Sequence, residues 1–541
     1  MPTRIAFSTL GCKQNQFETE ALKAMLPAGD YAVVPFADEA DLYVINTCTV
    51  TAEADADSRQ TIRRAVRRNP AARVVVTGCY AQVSPHEVRA IPGVDLVLGN
   101  AEKPQFLVQI QGLGRPASSP IPSPSYFSLS PCGGEGEGEG AQVPRVVVGD
   151  IGRRRVFDGL RVSLDSDRTR AYLKVQDGCN YHCSFCIVPA ARGPNRSLPP
   201  EAVLGELQRL DAAGYPEVVL TAIHLGTYGR DLAPPTSLVA LLRRIEDLPL
   251  RCRVRLTSLD PHEVGDDLIE LMQGSRRFCR HLHIAVQSGD DGVLRAMRRA
   301  YPARRFREAV ERAAAAIPGI GIGGDAIVGF PGETDAAFEN TYRLLADLPI
   351  SYFHVFPYSR RPGTAAAAMR DHVPPEVRIE RGRRLRALVA RKAAAFRAAQ
   401  VGQTADAVVL HRRERGGGRL EALTDNYVRA FLDGPDDLMG GRVHVRLGAL
   451  CGPGLEATLR VPSIIPLPPP AGTDVGAGLQ ARPRADLKIG PYESEQSGCK
   501  QHASRNAPYE WTPWSRRSWR GPLPPPSARW KTWWSARPAR P

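Results

Sequence analysis

Apolar and polar stretches alternate with two different periods along this chain. RIAFSTLGC, DLYVINTC and ARVVVTGC are short β-rich runs, separated by the helix-like stretches FETEALKAMLP and ADSRQTIRRAVRRN. That alternation predicts an α/β fold that opens with a doubly wound parallel sheet. It resumes further on. AYLKVQDG, PEVVLTAIHLGTYG, RVRLTSLDP, RHLHIAVQSGDD, IGIGGDAIVGFPGET and SYFHVFPYS read as strands. PPEAVLGELQRLDAAG starts on proline and ends on glycine, as helices do. RRFREAVERAAAAIPG places Phe306, Val310, Ala314 and Ile317 on one helical face. A partial (β/α) barrel of the TIM type closes this region, with chemistry expected at the carboxyl ends of its strands. After residue 400 the strands shorten between glycine turns, which predicts a small C-terminal β-barrel.

These patterns divide the chain. Residues 1–114 form the sheet domain, 143–375 the partial barrel, 376–400 a basic connecting helix and 401–462 the small barrel. RPASSPIPSPS and CGGEGEGEG cannot bury a core, so 115–142 reads as a linker insertion and its Cys132 as unligated. Residues 463–541 read as a disordered tail that holds all six tryptophans of the chain. The connecting helix carries eight Arg/Lys against two Glu, with Leu385, Leu388, Val389 and Phe396 on its apolar side. It reads as a solvated face or a track for an RNA backbone.

Charge adds a partner class. The formal net charge of +14 favours an anionic partner such as nucleic acid. The tail from residue 466 supplies half of it, with 12 Lys/Arg against 5 Asp/Glu. No apolar run is long enough to span a bilayer, and no signal-peptide pattern opens the chain. The expectation is a cytoplasmic protein without a membrane partner.

The cysteines bring the chemistry. Cys179, Cys183 and Cys186 have the spacing Cys-x3-Cys-x2-Cys, and no fourth cysteine is near. Three thiolates hold three irons of a cubane cluster and leave the fourth open, whereas a closed zinc site wants four ligands. A zinc knuckle or three separate core cysteines remain open readings. Cys12, Cys48 and Cys79 each end one of the three first strands. In a parallel sheet those ends face one way, so the three converge despite their separation. A second three-thiolate site follows, with three buried structural cysteines as the alternative. Cys252 and Cys279 read as structural, and Cys451 is unassigned.

The Cys-x3-Cys-x2-Cys loop resembles that of the radical S-adenosylmethionine (SAM) enzymes. GCKQNQFETE, NTCTV and TGCYAQ resemble the N-terminal domain of the methylthiotransferases within that superfamily. The resemblance runs from residue 3 to about 462 in the right motif order. It implies two 4Fe–4S clusters, one on Cys179, Cys183 and Cys186 that cleaves SAM, and one on Cys12, Cys48 and Cys79 that supplies sulfur. It implies a radical SAM barrel and, from Asn426 and Tyr427 in the C-terminal barrel, a TRAM domain that binds RNA. FSTLGCKQNQFETE is most similar to the branch acting on threonylcarbamoyladenosine in tRNA. That branch places a methylthio group on carbon two of the adenine beside the anticodon. Its partners would be tRNA and an electron donor such as flavodoxin or ferredoxin. Radical chemistry needs water excluded, so the first domain should cap the barrel mouth. Rival readings are the isopentenyladenosine and protein-aspartate branches, and a non-catalytic zinc and RNA-binding protein.

Rim residues complete the expectation. Phe185, beside Tyr181, sits where it would flank a flat ligand. Gln287 and Ser288 end a strand as ribose or substrate contacts, and Asp325 and the Gly329 loop follow as SAM contacts. Ala222 stands where the family usually has glycine in TG-x-H. Arg192 and Arg196 would meet tRNA phosphates or form a solvated face. No catalytic acid or base stands out.

Overall fold

The computed structural model describes residues 1–113, 144–162, 168–414 and 416–464. The linker reading of 115–142, with Cys132, and the reading of the tail from 465 onward lie outside the described residues.

The first sheet contains β1 (Thr3–Thr9), β2 (Tyr31–Val34), β3 (Leu42–Thr47), β4 (Arg73–Gly78), β5 (Leu96–Leu98) and β6 (Arg145–Val147). Their order is β2-β1-β3-β4-β5-β6 and every pairing is parallel. The order reverses direction between β1 and β3, which is where ligands bind in such sheets. Helices α1 (Lys13–Ala24), α2 (Ala52–Arg68) and α3 (Cys79–Val83) start at or just after β1, β3 and β4. β3 is buried along its whole length, and LYVINT reads accordingly as a near-continuous apolar run. β6 lies beyond the expected boundary at 143. It pairs with β5, so the first domain resumes after the linker before the chain enters the barrel.

The barrel region contains β7 (Arg170–Lys174), β8 (Gln176–Asp177), β9 (Arg196–Ser197), β10 (Glu217–Thr221), β11 (Arg253–Leu256), β12 (Ser258–Leu259), β13 (His281–Ile284), β14 (Gly321–Gly323), β15 (Asp325–Val328) and β16 (His354–Pro357). β8 and β9 form a small antiparallel pair beside the rim. The other pairings are parallel: β7-β10-β11, β12-β13-β14 and β15-β16. Isolated bridges Val254↔Phe278 and Gln287↔Ala326 stitch these groups along one curved wall.

Each strand of that wall alternates between two environments. Val218, Leu220, Val254, Leu256, Leu282 and Ile284 join the large apolar core under the helices. The residues that alternate with them, which face the lumen, include Glu217, Val219, Arg253, Arg255, His281 and His283, all buried. A closed TIM barrel fills its interior with branched apolar side chains. Most of this lumen is polar and charged instead.

β17 (Thr404–Arg413), β18 (Leu420–Thr424), β19 (Arg429–Leu432), β20 (Arg442–Cys451) and β21 (Gly454–Ile464) close into a five-stranded barrel. It is joined by the helix Pro375–Ala399, whose Leu385 and Leu388 are buried and whose Phe396 packs against the small barrel's core. A buried ion cluster docks this barrel on the wall. Arg253 and Arg255 sandwich Glu217, and their remaining N–H groups donate to the carbonyls of Asp406, Leu423, Thr424 and Asp425.

Candidate functional site

Glycine-cysteine pairs build the first group of thiols. Gly11 and Gly78 adopt φ of +93° and +96°, a region that penalises side chains. A Cβ on Gly11 would come within 2.9 Å of Cys48 Sγ, and one on Gly78 within 2.4 Å of the Thr47 carbonyl. The glycines therefore let the ends of β1 and β4 crowd against the end of β3. Cys12 caps α1 and is exposed, while Cys48 and Cys79 are buried. Burial pushes the Cys48 thiol up to about 12, with Cys79 and Cys12 adding to it. Burial raises Cys79 as well, against the pull of Arg192. Cys48 feels both Cys79 and Cys12, and Cys79 feels Cys12, so the three strand ends carry their thiols towards one another.

The second group sits in the loop after β8. Gly178 at φ +72° would place a Cβ 1.9 Å from the Pro194 carbonyl, so only glycine lets the loop pass β9. The backbone N–H of Tyr181 donates to Cys179 Sγ at 3.4 Å, and Arg299 donates to Cys183 Sγ at 3.2 Å. Burial pushes Cys186 up to about 12, with Cys183 and Cys179 adding to the effect. His224 Nδ1 lies 3.9 Å from Cys179 Sγ, and its Nε2 meets Glu263 at 2.9 Å. Burial opposes the His224 charge, but Cys179, Glu263 and Asp260 outweigh it and lift the imidazole to about 10.

Both donor sets suit a thiolate-bound metal cluster. Burial of Cys48 and Cys186 favours the neutral thiol, and a bound metal is what draws such a proton off. Neither set has a fourth cysteine among the described residues: Cys252 and Cys279 are buried in the core, with Cys279 against Glu217, and Arg419 donates to Cys451 at 2.9 Å.

An ion network joins the two groups. Glu18 of α1 takes salt bridges from Lys103 of the first domain, from Lys174 of β7 at 3.2 Å and from Arg192 at 2.6 Å. Arg192 also bonds Asn15 at 2.6 Å and Asp177 at 3.3 Å. Gln14 donates to the Gln176 carbonyl at 2.9 Å. The first domain thus covers the ends of β7 and β8 with buried polar contacts. This corrects the expectation for Arg192 and Arg196. Both are about 1% exposed, and Arg196 donates to the carbonyls of Arg192 and Pro194. They meet neither phosphate nor solvent, because Glu18 and Asp177 neutralise them inside.

The rim residues have different fates. Phe185 packs against the apolar cluster of Met297 and Phe330. Gln287 takes φ +62° and exchanges backbone hydrogen bonds with Asp325 and Ile327. Ser288 is fully buried, 3.2 Å from the Thr341 hydroxyl, where it braces the loop. Asp325 meets His354 Nδ1 at 3.1 Å and His283 Nε2 at 3.3 Å. Gly329 has φ +72°, leaves room for Arg378 and donates to Glu333 at 2.9 Å. The backbone N–H groups that follow Ala222, of Ile223 and His224, both donate to Gln176 Oε1 at 3.0 Å.

Sequence reasoning missed the lumen residues His281, His283, Arg255 and Tyr352. The available signal was the alternation in RVRL and HLHI, where charged or imidazole side chains take every second position of a strand with an apolar other face.

Comparison with known proteins agrees with this geometry. Residues 4–99 match a family described as Uncharacterized protein family UPF0004, and residues 173–345 match the Radical SAM superfamily. The threonylcarbamoyladenosine tRNA methylthiotransferase MtaB of Bacillus subtilis is 39% identical over 82% of this chain and 93% of its own length. The MtaB of Aquifex aeolicus is 37% identical over 79% of this chain and 95% of its own. The ribosomal protein uS12 methylthiotransferase RimO of Roseiflexus castenholzii is 35% identical over 70% of this chain and 78% of its own. The chain belongs to the radical SAM methylthiotransferase family.

Proposed function

We propose that the protein is a tRNA methylthiotransferase acting on carbon two of N6-threonylcarbamoyladenosine beside the anticodon. One observation carries the reading. Arg192 follows the Cys179–Cys186 loop directly, yet its guanidinium bonds Glu18 and Asn15 of α1, the helix that starts at Cys12 in the other domain. Two thiol sets placed across one buried network suit a reaction in which a radical and a sulfur atom meet at one carbon.

Cys179, Cys183 and Cys186 would hold one 4Fe–4S cluster, and Cys12, Cys48 and Cys79 a second. When bound, these clusters supply the electron for reductive cleavage of SAM and the sulfur for transfer. The chain's own residues prepare the chamber. Arg299 sets a positive charge against Cys183 and is anchored by Asp260. Glu263 fixes the His224 ring beside Cys179. Glu18, Lys103, Lys174 and Arg192 seal one side of the mouth against water, which favours radical chemistry. Gln287, Asp325 and Gly329 remain the proposed SAM contacts, with Phe185 supporting the loop and Ser288 the strand end. The five-stranded barrel would serve as a TRAM-type RNA-binding domain, on a strongly basic chain. An electron donor such as flavodoxin or ferredoxin and a cytoplasmic location complete the reading. No helix among the described residues is long and apolar enough to cross a membrane.

Mass spectrometry of tRNA nucleosides from a deletion strain tests it. The methylthio derivative of threonylcarbamoyladenosine should vanish while its precursor accumulates. An unchanged nucleoside profile would overturn the proposal.

A further inference from the structure

A ladder of rings climbs the lumen wall from the small barrel. Tyr427 contributes the first ring, and it comes from the turn after β18. Its ring centre lies 4.7 Å from that of His281 and 5.6 Å from that of Tyr352. Tyr352 continues to His283 at 6.0 Å and to His354 at 5.6 Å. His281 Nε2 bonds the Tyr352 hydroxyl at 2.8 Å.

The backbone is built to put Tyr427 there. Tyr427 adopts φ +72°, a genuine outlier for a bulky residue. The turn is over-determined. Asn426 donates to the Gly319 carbonyl and to Gln400 at 2.9 Å each, and Arg280 grips the Asp425 carboxylate at 2.6 Å. A Cβ on Gly321 would come within 2.2 Å of the Asn426 carbonyl, and one on Gly323 within 2.0 Å of the Tyr352 ring. Two glycines of β14 therefore admit the turn and the ring beside it. Strain held this firmly marks a functional position.

Two of the pocket's polar groups are uncommitted. His281 is 3% exposed, yet its Nδ1 has no hydrogen-bond partner. Tyr427 remains 36% exposed, although Arg255 lies 5.1 Å from its ring centre. Lys13, the residue after Cys12, is exposed and makes no ion pair among the described residues. Its charge nevertheless acts on Tyr427, His281, His283 and Asp325. The pocket thus draws its rings from the partial barrel and the small barrel, and the charge of Lys13 in the first domain acts on them.

The charge balance decides what it takes. Glu217 is shared among Arg170, Arg253 and Arg255. Asp406 also pairs with Arg253 and Arg442, and Asp425 with Arg280, so five arginines meet three carboxylates there, and Asp325 is the acidic group left beside His283 and His354. Asp325, His283 and His354 do place ligand atoms within 4.8 Å of one another, as a cation site would. The surrounding positive charge disfavours a cation there and favours an anion. An anion next to aromatic rings and hydrogen-bond donors describes a small amino-acid-like group with a free carboxylate.

We propose that this pocket receives the carboxylate-bearing substituent on the target adenine, with Lys13, His281 and Tyr427 as its specificity-determining residues. The inference rests on the tRNA reading above. It explains why the small barrel sends a strained tyrosine into another domain's lumen, which RNA-backbone binding alone does not require.

The test uses the reconstituted full chain and three anticodon stem-loop RNAs that differ only at that adenine. One carries the threonylcarbamoyl group, one an isopentenyl group and one no substituent. Binding is read by fluorescence anisotropy for the wild type, Lys13→Met and Tyr427→Phe, with iron content measured alongside. A charge-assisted hydrogen bond is worth roughly tenfold in affinity. The wild type should prefer the carboxylate-bearing RNA by about tenfold or more. Each variant should shrink that ratio by about tenfold. Tyr427→Phe lies far in sequence from every cysteine of either group, so its iron content should match the wild type. A variant that retains the full preference overturns the pocket. A wild type that methylthiolates tRNA but binds the three RNAs equally overturns the pocket and leaves the tRNA reading standing. A wild type that binds none of them overturns both.

Discussion

The Arg192 guanidinium lies 2.6 Å from the Glu18 carboxylate, and both side chains are almost wholly buried. They come from different domains and from sequence positions 174 residues apart. Burial works against the charge on each, yet the partners win. Arg192, Lys103 and Lys174 hold the Glu18 carboxyl well below the usual range. Removing one member of such a group strands the others as uncompensated charge. Arg192→Met should therefore destabilise the protein by about 3–5 kcal/mol. Differential scanning calorimetry reads this as a lowered first transition. An unchanged transition would mean that the network does not hold the domains together.

Glu217 gives a pH dependence with a definite sign. Burial opposes its charge, but Arg255, Arg253 and Arg170 outweigh it and hold its carboxyl well below the usual range. A folded-state value below the unfolded one stabilises the protein above the unfolded value. That contribution is lost as pH falls from the ordinary glutamate range through the depressed folded value. Urea midpoints should thus decline on the acid side, and Glu217→Gln should be less stable at neutral pH with a flatter acid limb. Parallel acid limbs for the two proteins would contradict this. Because the same arginines grip the small barrel's carbonyls, limited proteolysis of Glu217→Gln should release fragments near residue 400 sooner.

Gly78→Ala tests how the first thiol group is assembled. The new Cβ meets the Thr47 carbonyl at 2.4 Å and forces alanine into φ +96°. Strain of this kind costs about 1–3 kcal/mol, and the backbone contact adds to it. The ends of β3 and β4 must separate, and Cys79 moves from Cys48. Iron and sulfide in the reconstituted variant should fall towards the content of a one-cluster protein, with SAM cleavage retained. Full iron content would show that the close approach is not needed.

Cys183→Ala tests the other group. Arg299 loses its thiol partner, and the loop loses one of three thiolates. 5′-Deoxyadenosine production should disappear while iron at the first group persists. Normal production would remove Cys183 from the site.

Much of this was legible in the sequence because it is local. Each thiol of the first group follows a β-rich run, and two of them follow a glycine, so a parallel sheet alone brings them together. The loop of Cys179, Cys183 and Cys186 is contained within eight residues. The lumen was not legible in the same way. RVRL and HLHI read as strands whichever face turns inward, and only barrel closure decides that Arg255 and His281 line a chamber. Arg192 and Arg196 read as surface charge because no anion stands beside them in the loop. Glu18, the group that makes burial tolerable for Arg192, is brought in by the packing of a separate domain. The sheet that β6 joins is hidden for a related reason. A three-residue strand after a long low-complexity segment gives no local sign of which sheet it joins.

In the proposed function the two thiol groups do different jobs in one reaction. A Cys12/Cys48/Cys79 triple alanine variant separates those jobs on a single protein preparation. The paired assay measures 5′-deoxyadenosine and methylthiolated nucleoside from the same reduced sample. 5′-Deoxyadenosine should persist while no methylthiolated nucleoside forms. Methylthiolated tRNA from this variant would contradict it. Loss of both products together with the iron at Cys179, Cys183 and Cys186 would reduce the first group to a structural role.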